Sequence, residues 1–146
     1  MRLIGILLFL SLFSVVNAQT KASAKEYEID RKFGVCLDSS ENFSTAGQIQ
    51  CTGRAIEAWD KELNKYYKLL MSILSPDEKA KLKKAQQNWL LFRDSELAFE
   101  RTAFTNLDGS MWRVTAIMRE LEIVKQRAVD LIEYYAVFKE NKEGTK

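Results

Sequence analysis

Ile56, Trp59, Leu63, Tyr66, Leu70 and Ile73 follow one another at steps of three, four, three, four and three. That spacing lines one face of an α-helix and would scatter the same side chains over both faces of a strand. A second seam, Val114, Ile117, Leu121, Val124, Ala128, Leu131, Tyr135 and Phe138, is longer and unbroken. Between them, Leu82, Ala85, Trp89 and Phe92, then Leu97 and Phe99, mark another helix facing the same core. No stretch alternates with period two over a useful length, so the expected fold is all-α with essentially no sheet.

Local punctuation divides the seams. In Ser75-Pro76-Asp77-Glu78, serine can cap, proline suits the first helical position, and glutamate completes a capping box. So short a link makes the flanking helices antiparallel neighbours. Thr45-Ala46-Gly47-Gln48 has the form of an earlier capping box, and residues 106–110 form a turn cluster. The expectation is an up-down-up bundle of three long helices over residues 44–140. An irregular arm at 19–43, with a short helical turn near 26–33, precedes it, and a polar tail at 141–146 follows.

The opening MRLIGILLFLSLFSVVNA has a basic start, an apolar run, and small or modest residues before Gln19. It reads as a secretory signal over residues 1–18. An uncleaved anchor is the alternative, but the run falls short of about 20 residues. No cysteine lies near the cleavage point to carry lipid, so no stable membrane anchor is expected. The expected location is a bacterial periplasm or the extracellular space. The chain has 22 basic and 20 acidic side chains. Loss of Arg2 with the leader leaves a near balance, which argues against nucleic acid as a partner.

Cys36 and Cys51 are the only cysteines. An even count in an exported chain favours a disulfide. Such a bridge closes a loop of about 16 residues and contributes about 3 kcal/mol. A two-cysteine metal site is the alternative, with no histidine anywhere to complete it. No metal or cofactor is expected.

Asp60, Asn64 and Tyr67 share one helical face, as do Gln86 and Arg93 on the next helix. The tight turn at Ser75 sets a register that places Asp60 opposite Arg93 and Asn64 opposite Gln86. The expectation is a structural polar network: a partly buried Asp60–Arg93 ion pair, with Asn64 and Gln86 satisfying each other or nearby backbone. The alternative is that one of these groups faces a cleft and works on a ligand.

These residues carry a resemblance. Cys36 and Cys51 are followed by W-D-x-E-L-N-x-x-Y from Trp59 to Tyr67, A-Q-x-x-W-x-x-F-R-D-x-E from Ala85 to Glu96, Gly109-Ser110 and Arg127. Together they resemble the LprI-like family, named for a lysozyme inhibitor, over roughly residues 36–131. The resemblance implies a small exported helical binding protein. Family members often carry a second cysteine pair, and those places hold Leu97 and Arg119 here.

Three function classes follow. From the resemblance, the chain is a binding module that inhibits a lysozyme-type cell-wall hydrolase. An immunity protein against a secreted toxin is a variant of that reading. Lysozymes are typically cationic, so Asp38 and Glu41 in the disulfide loop are the candidate partner contacts. Otherwise that loop is a plain stapled connection. An enzyme is not expected: histidine is absent, and there is no G-x-S-x-G elbow or glycine-rich phosphate loop. Asp94 and Glu96, two apart on a helix, point to different sides. A structural or assembly factor would use an amphipathic face, such as Met111, Trp112 and Met118, although that spacing also suits a core. Lys79 and Lys83 read as a solvated face. Function is expected in the disulfide loop and the turn at 106–110.

Overall fold

The computed structural model describes residues 27–143. Four helices follow in order: α1 (Glu28–Asp38), a 3₁₀ turn (Ser40–Asn42), α2 (Thr45–Ile73), α3 (Pro76–Thr105) and α4 (Met111–Glu143). No strand occurs among the described residues. The leader and the first part of the expected arm lie outside them. α2, α3 and α4 hold 29, 30 and 33 residues. At 1.5 Å per residue each is about 45 to 50 Å long.

The core joins the first and last long helices. Ala55, Trp59, Leu63, Leu70 and Leu74 pack with Leu121, Val124, Ala128 and Leu131 in one buried cluster. Each large side chain so buried contributes about 1.5–3 kcal/mol. Thr45 Oγ1 lies 3.2 Å from Ser110 Oγ, Thr52 Oγ1 lies 3.9 Å from Met118 Sδ, and the Tyr66 and Tyr135 ring centroids are 5.7 Å apart. Numbering rises together along both helices, so α2 and α4 run parallel. α3 runs the other way along α4. Arg119 Nε reaches Glu100 Oε1 at 3.2 Å and Arg127 Nε reaches Gln86 Oε1 at 3.0 Å.

Four features depart from the sequence reading. The arm is not irregular: residues 28–38 are helical. Ile29 and Phe33, one turn apart, pack on the core, and Tyr27 meets the Trp59 ring edge-on at 5.0 Å. Asp30 Oδ1 accepts from Trp59 Nε1 at 3.3 Å, and its other oxygen pairs with Lys125 Nζ at 2.7 Å. This helix is short and buries no residue fully, so it leaves no lasting period. The α2 cap is Ser44, one residue earlier than expected, with Oγ accepting from Gly47 N at 3.1 Å. Gln48 Nε2 donates to the Phe43 carbonyl instead of closing a box. The box at Ser75 and Glu78 forms with both halves present.

The third departure concerns α3, which packs more on α4 than on α2. A helix wedged between two neighbours buries a broad face, whereas one leaning on a single neighbour buries a stripe. Leu82 and Trp89 reach the core and Leu97 is buried. Phe92 and Phe99, expected inside, are 53% and 66% exposed. Ala85 is exposed as well. Lastly, α4 continues through Glu143, past the expected helix end near 140.

Candidate functional site

Asp60, Asn64, Gln86 and Arg93 line one cleft between α2 and α3 of about 300 Å³, together with Tyr67, Lys83 and Trp89. They do not bond one another as expected across it. The Asp60–Arg93 ion pair does not form. Asn64 Nδ2 donates within α2 to Asp60, at 2.9 Å to Oδ2 and 2.8 Å to its carbonyl. Arg93 Nε and Nη2 hold Asp94 Oδ1 at 2.9 and 2.7 Å, and its guanidinium lies over the Trp89 ring. Gln86 turns away from Asn64 and accepts from Arg127 on α4. The cause is the lean of α3 toward α4, which opens the cleft and leaves each side chain to find a nearer partner. Its lining holds one carboxylate, Asp60, and no histidine. No group of three or more His, Cys, Asp or Glu side chains among the described residues is arranged to hold a metal ion.

On its other side α3 forms a larger groove with α4, about 840 Å³, walled by Trp89, Phe92, Ile123 and Val129 and closed at one point by Tyr27. Burial pushes the Tyr27 phenol above its ordinary value, and the nearby Glu133 carboxylate adds to this.

Further along the same helix pair, Leu97 is buried and Arg119 bridges two carboxylates, Glu100 and Glu122. Hydrogen bonding to Glu100, then to Glu122, raises the Arg119 pKa. Glu100 is only 5% exposed. Sequence reasoning missed it, yet a signal existed. Leu97, Glu100 and Phe104 step by three and four, so glutamate occupies a place in an apolar seam.

The two segments expected to carry function meet at one end. The Cys36–Cys51 disulfide forms, with Cα atoms 5.8 Å apart. It ties the last turn of α1 to the first turns of α2, and Asn42 Nδ2 donates to the Cys36 carbonyl at 2.9 Å. α2 presses on this turn at Gly47, where a Cβ would stand 2.5 Å from Asn42 Cα. Asp38 and Glu41 are both exposed on it. The Thr45–Ser110 hydrogen bond fastens the α2 start to the α3–α4 turn, which passes through Gly109 at φ 107°. Around this junction Phe43, Leu107 and Met111 are 66%, 44% and 63% exposed. Trp112 is half-buried, stacked on Phe104, with Nε1 donating to the Asp108 carbonyl. Met111, Trp112 and Met118 therefore divide between surface and interior.

The family model described as lysozyme inhibitor LprI matches residues 36–131. No curated protein matches the chain significantly. Among solved structures, the chain is similar to an uncharacterized protein from Burkholderia thailandensis, with 27% identity and a TM-score of 0.74 over 78% of this chain. The match spans 56% of that protein's length. The disulfide, the cleft-lining residues Asp60, Asn64, Gln86 and Arg93, and Arg127 all lie within the family-matched span. The chain belongs to the lysozyme inhibitor LprI family.

Proposed function

We propose that this chain is a small exported binding protein that inhibits a lysozyme-type cell-wall hydrolase, with the junction of the disulfide turn and the α3–α4 turn as its contact surface. Family membership supports the kind of activity. The observation that carries the placement is the Thr45–Ser110 hydrogen bond, which brings together two segments 65 residues apart. Phe43, Leu107 and Met111 offer apolar anchors there. Asp38, Glu41 and Asp108 are exposed carboxylates on the same segments. Apolar anchors with an acidic rim suit a cationic enzyme: the anchors hold, and the rim speeds and steers encounter. No helix among the described residues is long and apolar enough to cross a membrane. The action is that of a binding protein, and the chain is not an enzyme. Its place is the periplasm or the extracellular space, where cell-wall hydrolases work.

The test is a lysis assay with oxidised protein, expressed with its own leader and titrated against several lysozyme classes. Dose-dependent inhibition is expected. Asp38→Ala with Glu41→Ala should weaken it mainly at low salt, and Phe43→Ala should weaken it at any salt. Reduction of the disulfide should weaken it further. Inhibition unaffected by all three changes would move the contact elsewhere. An absence of inhibition at large excess would refute the hydrolase reading and favour a toxin or another envelope protein as the partner.

A further inference from the structure

α3 carries a stripe whose purpose neither the core nor the proposed contact surface explains. Lys81, Ala85, Asn88, Phe92, Glu96, Phe99 and Ala103 follow at steps of four, three, four, four, three and four. At about 100° per residue all seven lie within about 40° of Phe92 around the helix. The spacing reads the same in both directions from Phe92. Phe92 and Phe99 are 53% and 66% exposed. Lone exposed apolar residues need no explanation, but a run of large ones along a single helix marks a contact surface.

The spacing and chemistry point to one occupant. We propose that the α3 stripe is the interface of a homodimer, in which a second copy of α3 lies antiparallel across a two-fold axis at Phe92. A two-fold contact must be complementary to itself, and this stripe is. Phe92 meets Phe92 of the second copy. Phe99 falls on Ala85 of the second copy, a large side chain over a small one, and the symmetry repeats this on the other side. Glu96 falls beside Asn88 of the second copy and within one turn of its Lys84. Within the chain, Lys84, Asn88 and Glu96 make neither a side-chain hydrogen bond nor an ion pair among the described residues, so these groups remain to be matched, while Lys81 lies within electrostatic reach of Glu78. On the face that carries the stripe, Lys81 and Lys84 lie in the first half of α3 and Glu96 lies in the second. Antiparallel pairing sets one half against the other, whereas parallel pairing would set lysine against lysine.

The stripe is centred on Phe92, and its last member, Ala103, stands four residues before Leu107 of the proposed contact surface. The two proposals stand or fall separately. Sedimentation equilibrium of the oxidised chain, purified after export with its own leader, is expected to give a monomer–dimer equilibrium with a micromolar Kd. Phe92→Glu sets two carboxylates together at the axis and should raise Kd at least about tenfold. Ala85→Trp fills the space that Phe99 needs in this register and should weaken the dimer similarly. Both positions are exposed in the monomer, so helicity by circular dichroism should be unchanged. A chain that stays monomeric at about 100 µM, well above such a Kd, overturns the proposal. So does a dimer indifferent to both substitutions, and so does a monomer whose binding to a hydrolase is lost in Phe92→Glu, since the stripe then serves the partner.

Discussion

Two glycines on one helix should respond to the same substitution with opposite signs. Gly53 sits inside α2 with nothing within 4 Å of the place a Cβ would occupy. Alanine there gains helix propensity and loses nothing, so Gly53→Ala should stabilise by about 0.5–1 kcal/mol. Gly47, six residues earlier, is buried in the first turn of the same helix. Its added Cβ would lie 2.5, 2.8 and 2.8 Å from Asn42 Cα, C and O. All three are backbone atoms, so no rotamer change relieves them, and the 3₁₀ turn must move. Overpacking of this kind costs about 1–3 kcal/mol, which exceeds the propensity gain. Gly47→Ala should therefore destabilise by about 0.5–2 kcal/mol after that gain is subtracted. Urea unfolding followed by far-ultraviolet circular dichroism compares both variants directly. The turn also carries Glu41 and is tied to Cys36, so Gly47→Ala should weaken hydrolase inhibition beyond its effect on stability. Equal stabilisation by both substitutions would refute the reasoning, because it would mean that the turn does not press on α2.

Two further outcomes are expected. Gln86→Leu removes the acceptor of Arg127 Nε, on a guanidinium whose buried Nη2 already has no hydrogen-bond partner. The cost should be about 1–3 kcal/mol, and a double-mutant cycle with Arg127→Met should show the two losses to be strongly non-additive; independent losses would show that the bond contributes nothing. The Ser75 backbone N–H holds the Glu78 carboxyl below its ordinary 4.5. For an acid depressed in the folded state, the stabilisation is complete above the unfolded value and is lost as pH falls through the folded value. Thermal unfolding should thus show a shallower loss of stability below about pH 4.5 in Glu78→Gln than in the parent chain, and identical slopes would rule out the cap as a source of acid sensitivity.

The helical seams were legible because a buried face repeats every three or four residues whatever covers it. Trp59, Leu63, Leu121 and Leu131 needed no knowledge of their neighbours. What periodicity does not encode is which helix supplies the cover. Phe92 and Phe99 continue the apolar spacing of a helix read as facing the same core, yet both are exposed. The register of the Ser75 turn paired Asp60 with Arg93, which holds only if α3 lies close against α2. One lean of α3 undoes both, and sends Gln86 to Arg127. α1 was expected only as a short turn near 26–33 for a different reason: eleven residues, none of them fully buried, give too few repeats to show the helix's full length. The disulfide was legible from the cysteine count and the expected secretory signal. That its turn lies beside residues 106–110 was not, since that proximity follows from α2 and α4 lying parallel.

The parallel pairing of α2 with α4 also fixes an order of events. Thr45 meets Ser110 and Thr52 meets Met118, 65 and 66 residues away, whereas the two cysteines are separated by 15. Closing the longer loop costs about 1.3 kcal/mol more in chain entropy. It also requires that α4 be present at all. A chain emerging from its N-terminus can close the cysteine turn while Trp59, Leu63 and Leu70 still have no cover. The covalent lock at one end forms from local sequence, and the core waits for the last helix. A chain cut short before residue 121 would have both cysteines of the turn in place, its apolar seam open to water, and nothing yet to hold it folded.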